Sequence, residues 1–392
     1  MVPNLRFSYK GDWSKRKLNE ICQFFKGNGL SKSNLSNEGF PCILYGELYT
    51  TYKNEVISDI ISKTNITLSN PFLSRNNDLI IPGSGEDPID IAVARAIYQN
   101  DIILGGDLNI LRPKSNVSAA FLSYQLNGVR RYDIAKKAQG KSIVHLHNSD
   151  LKEVLVSIPT YDEQLHIVEL LTKIDEMIEA QSKIINALDS QRKCIFLKVH
   201  RAQSLKKIKI FELGRMIAAN NLSKDELSIK GNECILYGEL FTKYNLYIDN
   251  VISKTKKIDN AIISSGNDIL FPTSTTVDAF SLIKPSALIK KGVILGGDMF
   301  SIKLKDDYNP IYISCLINFI YRKKFASKTQ GSTIIHLHYS DIKNEVIEIC
   351  DYEIQCKIAN LIESITEKLK VEEELLNLLY IQKSYLLQNM FI

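Results

Sequence analysis

This chain repeats one stretch, and that repeat decides the fold: Cys42-Ile43-Leu44-Tyr45-Gly46-Glu47-Leu48-Tyr49-Thr50 recurs as Cys234-Ile235-Leu236-Tyr237-Gly238-Glu239-Leu240-Phe241-Thr242. Four more segments recur in the same order: Ile61-Ser62-Lys63-Thr64 as Ile252-Ser253-Lys254-Thr255, Asn77-Asp78-Leu79 as Asn267-Asp268-Ile269, Ile103-Leu104-Gly105-Gly106-Asp107 as Ile294-Leu295-Gly296-Gly297-Asp298, and Gln139-Gly140 with His145-Leu146-His147 as Gln330-Gly331 with His336-Leu337-His338. Five ordered matches at displacements of 190 to 192 residues indicate a tandem duplication.

Length and composition agree with two domains. A chain of 392 residues is too long for one ordinary hydrophobic core. Its content of 45% apolar and 24% charged residues is typical of a globular protein. A run of about 18 apolar residues is absent, which predicts that no transmembrane helix is present. The start, Met1-Val2-Pro3-Asn4-Leu5-Arg6, lacks the apolar stretch of a signal peptide, so we expect a cytoplasmic protein.

The cysteines and the net charge are less informative. The seven cysteines are scattered without a CxxC pair, which favours reduced thiols over a zinc site or disulfides. A net charge of +5 is compatible with nucleic-acid binding but is shared by many unrelated proteins.

Each copy begins with short strand-like runs and ends in a long segment without Gly or Pro, roughly Asp162 to Ala202 and Glu353 to Met390. Apolar residues recur at spacings of three and four in both segments, which predicts a coiled-coil seam. The seam comprises Ile167, Leu171, Ile174, Ile178, Ile185, Leu188, Ile195 and Val199 in the first helix, and Ile358, Ile362, Ile365, Leu369, Leu376, Leu379, Leu386 and Met390 in the second.

Polar residues interrupt this seam at equivalent places in the two helices. If the helices pair antiparallel about a two-fold axis, Arg192 faces Glu372 and Gln181 faces Lys383, and polar seam residues of this kind fix a register. The alternative is that these side chains extend to solvent.

The pattern therefore predicts an α/β (α+β) protein with two similar domains, related by a pseudo-two-fold axis and separated by two long antiparallel helices that form a coiled coil. The predicted segments are domain 1 (residues 1–158), a central spacer helix (159–203), domain 2 (204–348) and a C-terminal spacer helix (349–392). Because the backbone of duplex DNA is also two-fold symmetric, such a protein suits two separated half-sites.

Taken together, the motifs resemble the specificity subunit of type I restriction–modification systems over essentially the full length. The resemblance depends on Trp13, Lys17-Leu18-Asn19-Glu20-Ile21, Asn77-Asp78-Leu79, Gly105-Gly106-Asp107, Gln139-Gly140 with His145-Leu146, and Pro159 with Asp162-Glu163-Gln164. The chain departs from the family's usual pair of prolines before the helix, because only Pro159 remains and residues 350–355 contain none. We expect this to affect helix entry and not function.

The resemblance implies that each domain is a target-recognition domain that reads one half of a split double-stranded DNA site. The spacer helices would dock two modification subunits, which hold S-adenosylmethionine and methylate adenine N6. Restriction subunits that use ATP and Mg²⁺ would join for cleavage. This chain itself would hold no cofactor and catalyse no step.

The motifs themselves agree with a chain that catalyses no reaction. The nearest run to a methyltransferase Pro-Pro loop, Ser69-Asn70-Pro71-Phe72, has one proline, and Ala135 stands where a phosphate loop ending at Gly140 needs glycine. Each His-Leu-His triplet could offer two metal ligands from one strand face, but only Asp150 and Asp341 recur nearby as a third. A strand edge or a DNA contact is favoured over a metal site.

The acidic and aromatic residues of the shared motifs have structural explanations. Asp107 and Asp298 follow paired glycines, which is typical of a tight turn. Tyr45 and Tyr237 lie in the shared strand and are expected to be core residues.

Candidate DNA-binding residues lie in two places in each copy. Basic residues precede each triplet and could clamp phosphates, although the alternative is a solvated helix face: Arg130, Arg131, Lys136, Lys137 and Lys141, then Arg322, Lys323, Lys324 and Lys328. Base readout is expected where the copies differ, in residues 83–87 and 273–277, with Ser84, Ser274 and Thr275 as candidates. The alternative there is neutral divergence of a surface loop.

Two other kinds of protein stay open at this point. One is a DNA-modifying enzyme with duplicated domains, and the other is a scaffold that binds only proteins through its coiled coil. The absence of a duplicated catalytic constellation argues against the enzyme.

Overall fold

The computed structural model describes residues 2–219, 222–257 and 261–392. The chain divides into two compact units: unit 1 is Met1–Lys183 with Glu373–Ile392, and unit 2 is Ile184–Glu372. Each unit thus contains one copy of the repeated region and one half of each long helix. The four segments predicted from the sequence treat each long helix as a separate, undivided segment, and their boundaries stay predictions.

The two long helices are Tyr161–Arg201 and Tyr352–Asn389. In unit 1, Ile167 and Leu171 from the start of the first helix share a core with Leu386 and Met390 from the end of the second. In unit 2 the opposite ends meet, because Phe196 shares a core with Ile358 and Ile362. The antiparallel pairing is therefore confirmed, and every predicted seam residue is buried or half-buried.

The predicted register of this pair is wrong. In unit 1 the ammonium group of Lys383 contacts Asp175 and Glu55, and in unit 2 Arg192 donates to the Thr366 hydroxyl at 3.0 Å. Arg192 is 4% exposed, so it does not extend to solvent either. A buried cation requires a nearby acceptor. The folded chain provides Asp175 and Glu55 for Lys383, and Thr366 for Arg192, in place of the predicted Gln181 and Glu372.

Unit 1 contains a mixed five-stranded sheet and several smaller ones. The five-stranded order is Cys22–Lys26, Leu108–Pro113, Asp78–Pro82, Arg95–Ile97 and Val56–Ile57. The smaller sheets are Ser62–Thr64 with Phe40–Ile43 and Ile103–Leu104, Ser14–Lys17 with Leu155–Ile158, and Ser84–Gly85 with Val144–His145. Its short helices are Leu18–Ile21, Lys32–Asn34, Glu47–Thr50, Pro88–Ile91, Ala119–Asn127, Arg131–Ala135 and Asn148–Lys152.

Unit 2 repeats this plan. Its five-stranded order is Gly214–Ala218, Met299–Leu304, Asp268–Pro272, Ser286–Leu288 and Tyr247–Ile248. The smaller sheets are Ser253–Thr255 with Leu227–Leu236, Lys291–Gly296 and Ile263–Ser265, then Lys206–Lys209 with Val346–Ile349, and Ser274–Thr275 with Ile335–His336. Its short helices are Ile210–Leu213, Lys224–Glu226, Glu239–Thr242, Ala279–Leu282, Pro310–Leu316, Ile317–Tyr321, Arg322–Ala326 and Tyr339–Ile342.

The central strand of unit 1 shows why the repeat folds this way. All five residues of Asp78–Pro82 are buried, as expected for an apolar run between two neighbouring strands. The buried carboxylate of Asp78 accepts two hydrogen bonds from Arg112, both at 2.8 Å. The shared proline ends the strand, since proline cannot donate to a ladder. The mixed α/β class and the duplication are confirmed.

Tyr45 and Tyr237 are half-buried against the apolar clusters of their units, as expected for core residues. Within the described ranges, the helices all lack the combination of length and apolar character that crossing a bilayer requires.

Candidate nucleic-acid interface

Three pieces of the repeat meet at one place in unit 1. Strand Ser84–Gly85 pairs with Val144–His145 so that Ser84 lies opposite His145. The Leu146 amide donates to the Gly83 carbonyl at 2.9 Å. The buried side chain of Asn109 donates to the carbonyls of Leu146 (2.8 Å) and Pro82 (3.2 Å). Segments 82–85, 107–109 and 144–146 therefore form one connected site.

Unit 2 builds the same site from the equivalent segments. Ser274 lies opposite His336, and the Leu337 amide donates to the Thr273 carbonyl at 2.9 Å. The repeated sequence therefore produces a repeated geometry.

The aspartate that follows the paired glycines closes a turn in each unit. Asp107 has a φ of 56°, and its carbonyl accepts from the Gly83 amide at 2.6 Å. The Ser84 hydroxyl donates to the Asp107 carboxylate at 3.2 Å, and Ser274 donates to Asp298 at 3.1 Å. The turn that the sequence predicted is confirmed.

The histidine triplet presents two rings to solvent from each unit. His145 and His147 are exposed with parallel rings whose centroids lie 6.1 Å apart, while Leu146 between them is fully buried. His336 and His338 repeat this arrangement at 6.2 Å. Alternation along an extended backbone produces the pattern. In the described part of the chain, His, Cys, Asp and Glu do not cluster in threes that could hold a metal ion.

A short loop precedes each triplet and is closed by backbone hydrogen bonds. The Gln139 amide donates to the His145 carbonyl at 2.9 Å, and the His145 amide donates back at 2.7 Å. Gly140 has a φ of +136°, and a Cβ there would lie 2.0 Å from the Ile143 carbonyl oxygen. In unit 2, Gln330 and His336 make the same pair of bonds at 2.9 and 2.7 Å. Glycine is required because the backbone approaches itself so closely.

The arginines of the predicted basic clusters are used inside the protein. Arg131 donates to the Ile89 carbonyl at 3.1 Å, and Arg322 donates to the Phe280 carbonyl at 2.9 Å. The Arg322 guanidinium also lies 4.1 Å from the centre of the Phe280 ring. Arg130 donates to the Ile392 carbonyl at 3.0 Å. These side chains join neighbouring segments of their units.

The lysines divide into two groups. Lys324 and Lys328 contact the Glu345 carboxylate at 2.9 and 2.8 Å. Lys136, Lys141 and Lys323 are exposed, and Lys137 is half-buried. Lys324 and Lys328 are exposed too, but Glu345 neutralises them, so Lys136, Lys141 and Lys323, which form no ion pair within the described residues, are best placed to meet a polyanion.

The serines predicted to read bases lie mostly inside. Ser84 and Ser274 are 4% and 8% exposed, and each hydroxyl is bound to an aspartate as described above. Thr275 is half-buried and accepts from the Val277 amide at 3.2 Å. The residues that follow differ between the units and are exposed: Glu86 and Asp87 in unit 1, Thr276 and Val277 in unit 2. Sequence reasoning found the variable loops but missed which of their residues face outward.

Sequence comparison with known proteins matches this chain to a family model and to a curated relative. A family model described as "Type I restriction modification DNA specificity domain" matches residues 10–190 and again 205–380. A protein named as the type I restriction enzyme MjaX specificity subunit, from Methanocaldococcus jannaschii, is 24% identical over 223 residues, or 52% of this chain and 50% of the relative. The chain thus spans about half the length of the curated relative that it matches.

Two solved structures share the fold along nearly the whole chain. The S subunit of a type I restriction–modification system from M. genitalium has a TM-score of 0.62 at 16% identity and covers 100% of this chain and 99% of its own. A chain from a study of complex assembly and conformational transition in the type I R-M system has a TM-score of 0.58 at 12% identity and covers 98% of both chains.

Proposed function

We propose, since this chain belongs to the family of type I restriction–modification DNA specificity domains, that it selects the DNA site on which a methyltransferase complex acts. The family match confirms the resemblance that the repeated motifs predicted. Each unit would bind one part of a bipartite, asymmetric site in double-stranded DNA. The chain would act in the cytoplasm and would carry no catalytic step of its own.

The observation that supports this proposal best is the repeated loop-and-triplet site. Each unit exposes a pair of histidines beside a loop that backbone hydrogen bonds hold in place, and unit 1 also exposes Lys141 on that loop. Such donors suit phosphates, which fix the position of a protein on DNA without reading bases. Two matching sites suit two DNA segments that share a backbone but differ in sequence.

Base selection is assigned to the exposed residues that differ between the units. Glu86 in unit 1 suits a cytosine amino group, since carboxylates accept from N4 of cytosine. Thr276 and Val277 in unit 2 suit hydroxyl and thymine-methyl contacts. Ser84 and Ser274 would support these loops through their aspartates, and Thr275 would remain a candidate for contact.

The second long helix offers a surface for a modification subunit. Leu375, Leu378, Ile381 and Tyr385 recur at spacings of three and four, and are 44%, 61%, 56% and 58% exposed. An exposed apolar stripe of this kind is typical of a protein interface. The occupant proposed is the methyltransferase subunit, which would bring S-adenosylmethionine, whereas restriction subunits would bring ATP and Mg²⁺.

Methylation mapping tests the proposal. The chain is expressed with its cognate modification subunits, and methylated adenines are mapped across the genome. One split motif with a fixed gap is expected. Replacing residues 1–155 with the recognition region of another family member should change one half of that motif and leave the other half.

Two further results would contradict the proposal. Methylation or cleavage of DNA by the purified chain alone would favour a DNA-modifying enzyme. Failure of the complex to retain any DNA would favour a protein-only scaffold.

Partner docking is tested separately. Leu378→Lys should abolish co-purification of the modification subunit, because it places a charge in the apolar stripe. Asn377→Lys adds the same charge at an exposed position beside it and should leave co-purification unchanged. Equal loss in both variants would contradict the assigned surface.

A further inference from the structure

Each unit exposes an isoleucine at the tip of the loop before its histidine triplet. Ile143 is 57% exposed and Ile334 is 49% exposed. Single exposed isoleucines are common on protein surfaces, but this one occupies the same loop position in both copies. Its neighbour Val144 is 4% exposed, so the backbone alternates and directs the isoleucine outward.

The loop holds this side chain in a fixed position. Paired hydrogen bonds between Gln139 and His145 close it, and the positive φ of Gly140 lets the chain turn directly beneath the Ile143 carbonyl. Gly331 has a φ of +103°, and a Cβ there would lie 2.1 Å from the Ile334 carbonyl oxygen. A rigid tip loses little conformational entropy when it binds.

The surroundings of the tip indicate a polyanionic partner. Lys141 is exposed two residues before Ile143, and the exposed rings of His145 and His147 follow it. The equivalent His336 and His338 follow Ile334. An apolar tip between groups that donate to phosphates matches the arrangement of proteins that insert a side chain into a DNA groove.

The shared isoleucine and the differing loops beside it point to different roles. Base-reading residues must differ between units that read different sequences, as Glu86 and its counterpart Thr276 do. A residue that deforms the duplex serves both units alike, because unstacking a base step depends only weakly on direct base contacts. We propose that Ile143 and Ile334 each wedge into the bound duplex and unstack a base step; this rests on the proposed DNA-binding function.

The test measures unstacking directly. The full chain with its modification subunits is bound to a duplex that carries the mapped motif, with 2-aminopurine placed in turn at each position of both halves. Wild type should raise the 2-aminopurine emission at one step in each half. Ile143→Ala should remove the rise in one half and weaken binding about tenfold. Ile334→Ala should act on the other half.

Matched variants separate a wedge from a general loss of apolar surface. Ile143→Leu keeps a wedge and should restore both the emission and the affinity. Ile61 and Ile252 also recur in the two copies and are 62% and 59% exposed, so Ile61→Ala and Ile252→Ala should change neither reading.

The outcomes distinguish this inference from the function on which it rests. If Ile143→Ala and Ile334→Ala bind and unstack like wild type while the motif is still methylated, the wedge is overturned and the proposed function stands. If Ile61→Ala causes the same loss as Ile143→Ala, the wedge is also overturned. If wild type retains no DNA, both fail.

Discussion

The Nζ of Lys383 lies 2.5 Å from Oδ1 of Asp175, an ion pair that joins the second long helix to the first within unit 1. The same ammonium group lies 2.6 Å from Oε2 of Glu55, and the Tyr124 hydroxyl donates to Asp175 at 2.7 Å. Burial alone would lower the pKa of Lys383, but the two carboxylates outweigh it and raise that pKa. Lys383 is therefore charged and is enclosed by its partners.

Lys383→Met should destabilise unit 1 strongly. It leaves two carboxylates unpaired, with side chains only 6% and 8% exposed. Breaking a buried pair in this way costs about 3–5 kcal/mol. The free energy of unfolding from urea titration measures it. Lys173→Met removes an exposed partner of Glu169 on the first long helix and should change little. Similar values for both variants would contradict a structural role for the buried pair.

This network also marks a limit of sequence reasoning. The spacing of apolar residues located both helices and the polar positions Arg192 and Lys383. It could not locate their partners, because Glu55 lies in a distant loop and no periodicity relates it to Lys383. Helix geometry determines which residues line a seam, whereas register depends on contacts that only the folded chain brings together.

The pH dependence of stability should include a contribution from His200. This side chain is 2% exposed, stacks on Phe196 and shares a hydrogen bond with Tyr312 at 2.9 Å. Burial lowers the pKa of His200 in the folded protein. Below about pH 6.5, His200 binds a proton in the unfolded chain but not in the folded chain. Protonation therefore favours the unfolded chain, and the free energy of unfolding decreases as the pH falls through that value.

His200→Phe should remove that contribution. Phe391 occupies the equivalent position in unit 1 and packs on Phe121 at 5.3 Å, so an aromatic ring without a titrating group fits such a site. The variant's free energy of unfolding should fall less steeply between about pH 6.5 and 5, by up to about 1.4 kcal/mol per pH unit. An unchanged slope would show that His200 does not titrate on unfolding.

Gly140→Ala should disrupt DNA binding by unit 1 while leaving its core folded. The added Cβ would meet the Ile143 carbonyl at 2.0 Å, and the positive φ disfavours any side chain. We expect a loss of affinity with a small change in unfolding midpoint. Gly238→Ala is the control, because its φ is −63° and a Cβ there meets nothing within 4 Å. Undiminished DNA affinity in Gly140→Ala would remove this loop from the interface.

The basic residues should separate into DNA contacts and structural contacts. Lys141→Gln should reduce the slope of log affinity against log salt by about 1, because one phosphate contact is lost. Lys324→Gln removes contacts to Glu345 and to the Val346 carbonyl and should leave the salt slope unchanged. An equal effect of both substitutions on the slope would contradict this division.

The same residues show what the sequence could reveal of the site. The repeat identified the loop, the triplet and the lysines, because these motifs recur as continuous stretches. It could not separate Arg131 and Arg322 from Lys141, because it does not show which backbone carbonyls remain open to an arginine after folding. The outward direction of Ile143 was missed for the same reason, since it depends on how the closed loop turns.

Unit 1 is assembled from two stretches of chain with the whole of unit 2 between them. Ribosomal synthesis therefore releases Trp13 and Phe121 long before Phe391, the residue that packs against both of them. Unit 2, as one uninterrupted stretch, is fully translated before unit 1 receives its last segment. Until then the apolar surface around Trp13 and Phe121 stays uncovered, so unit 1 is the half whose core can be completed only when translation reaches Phe391.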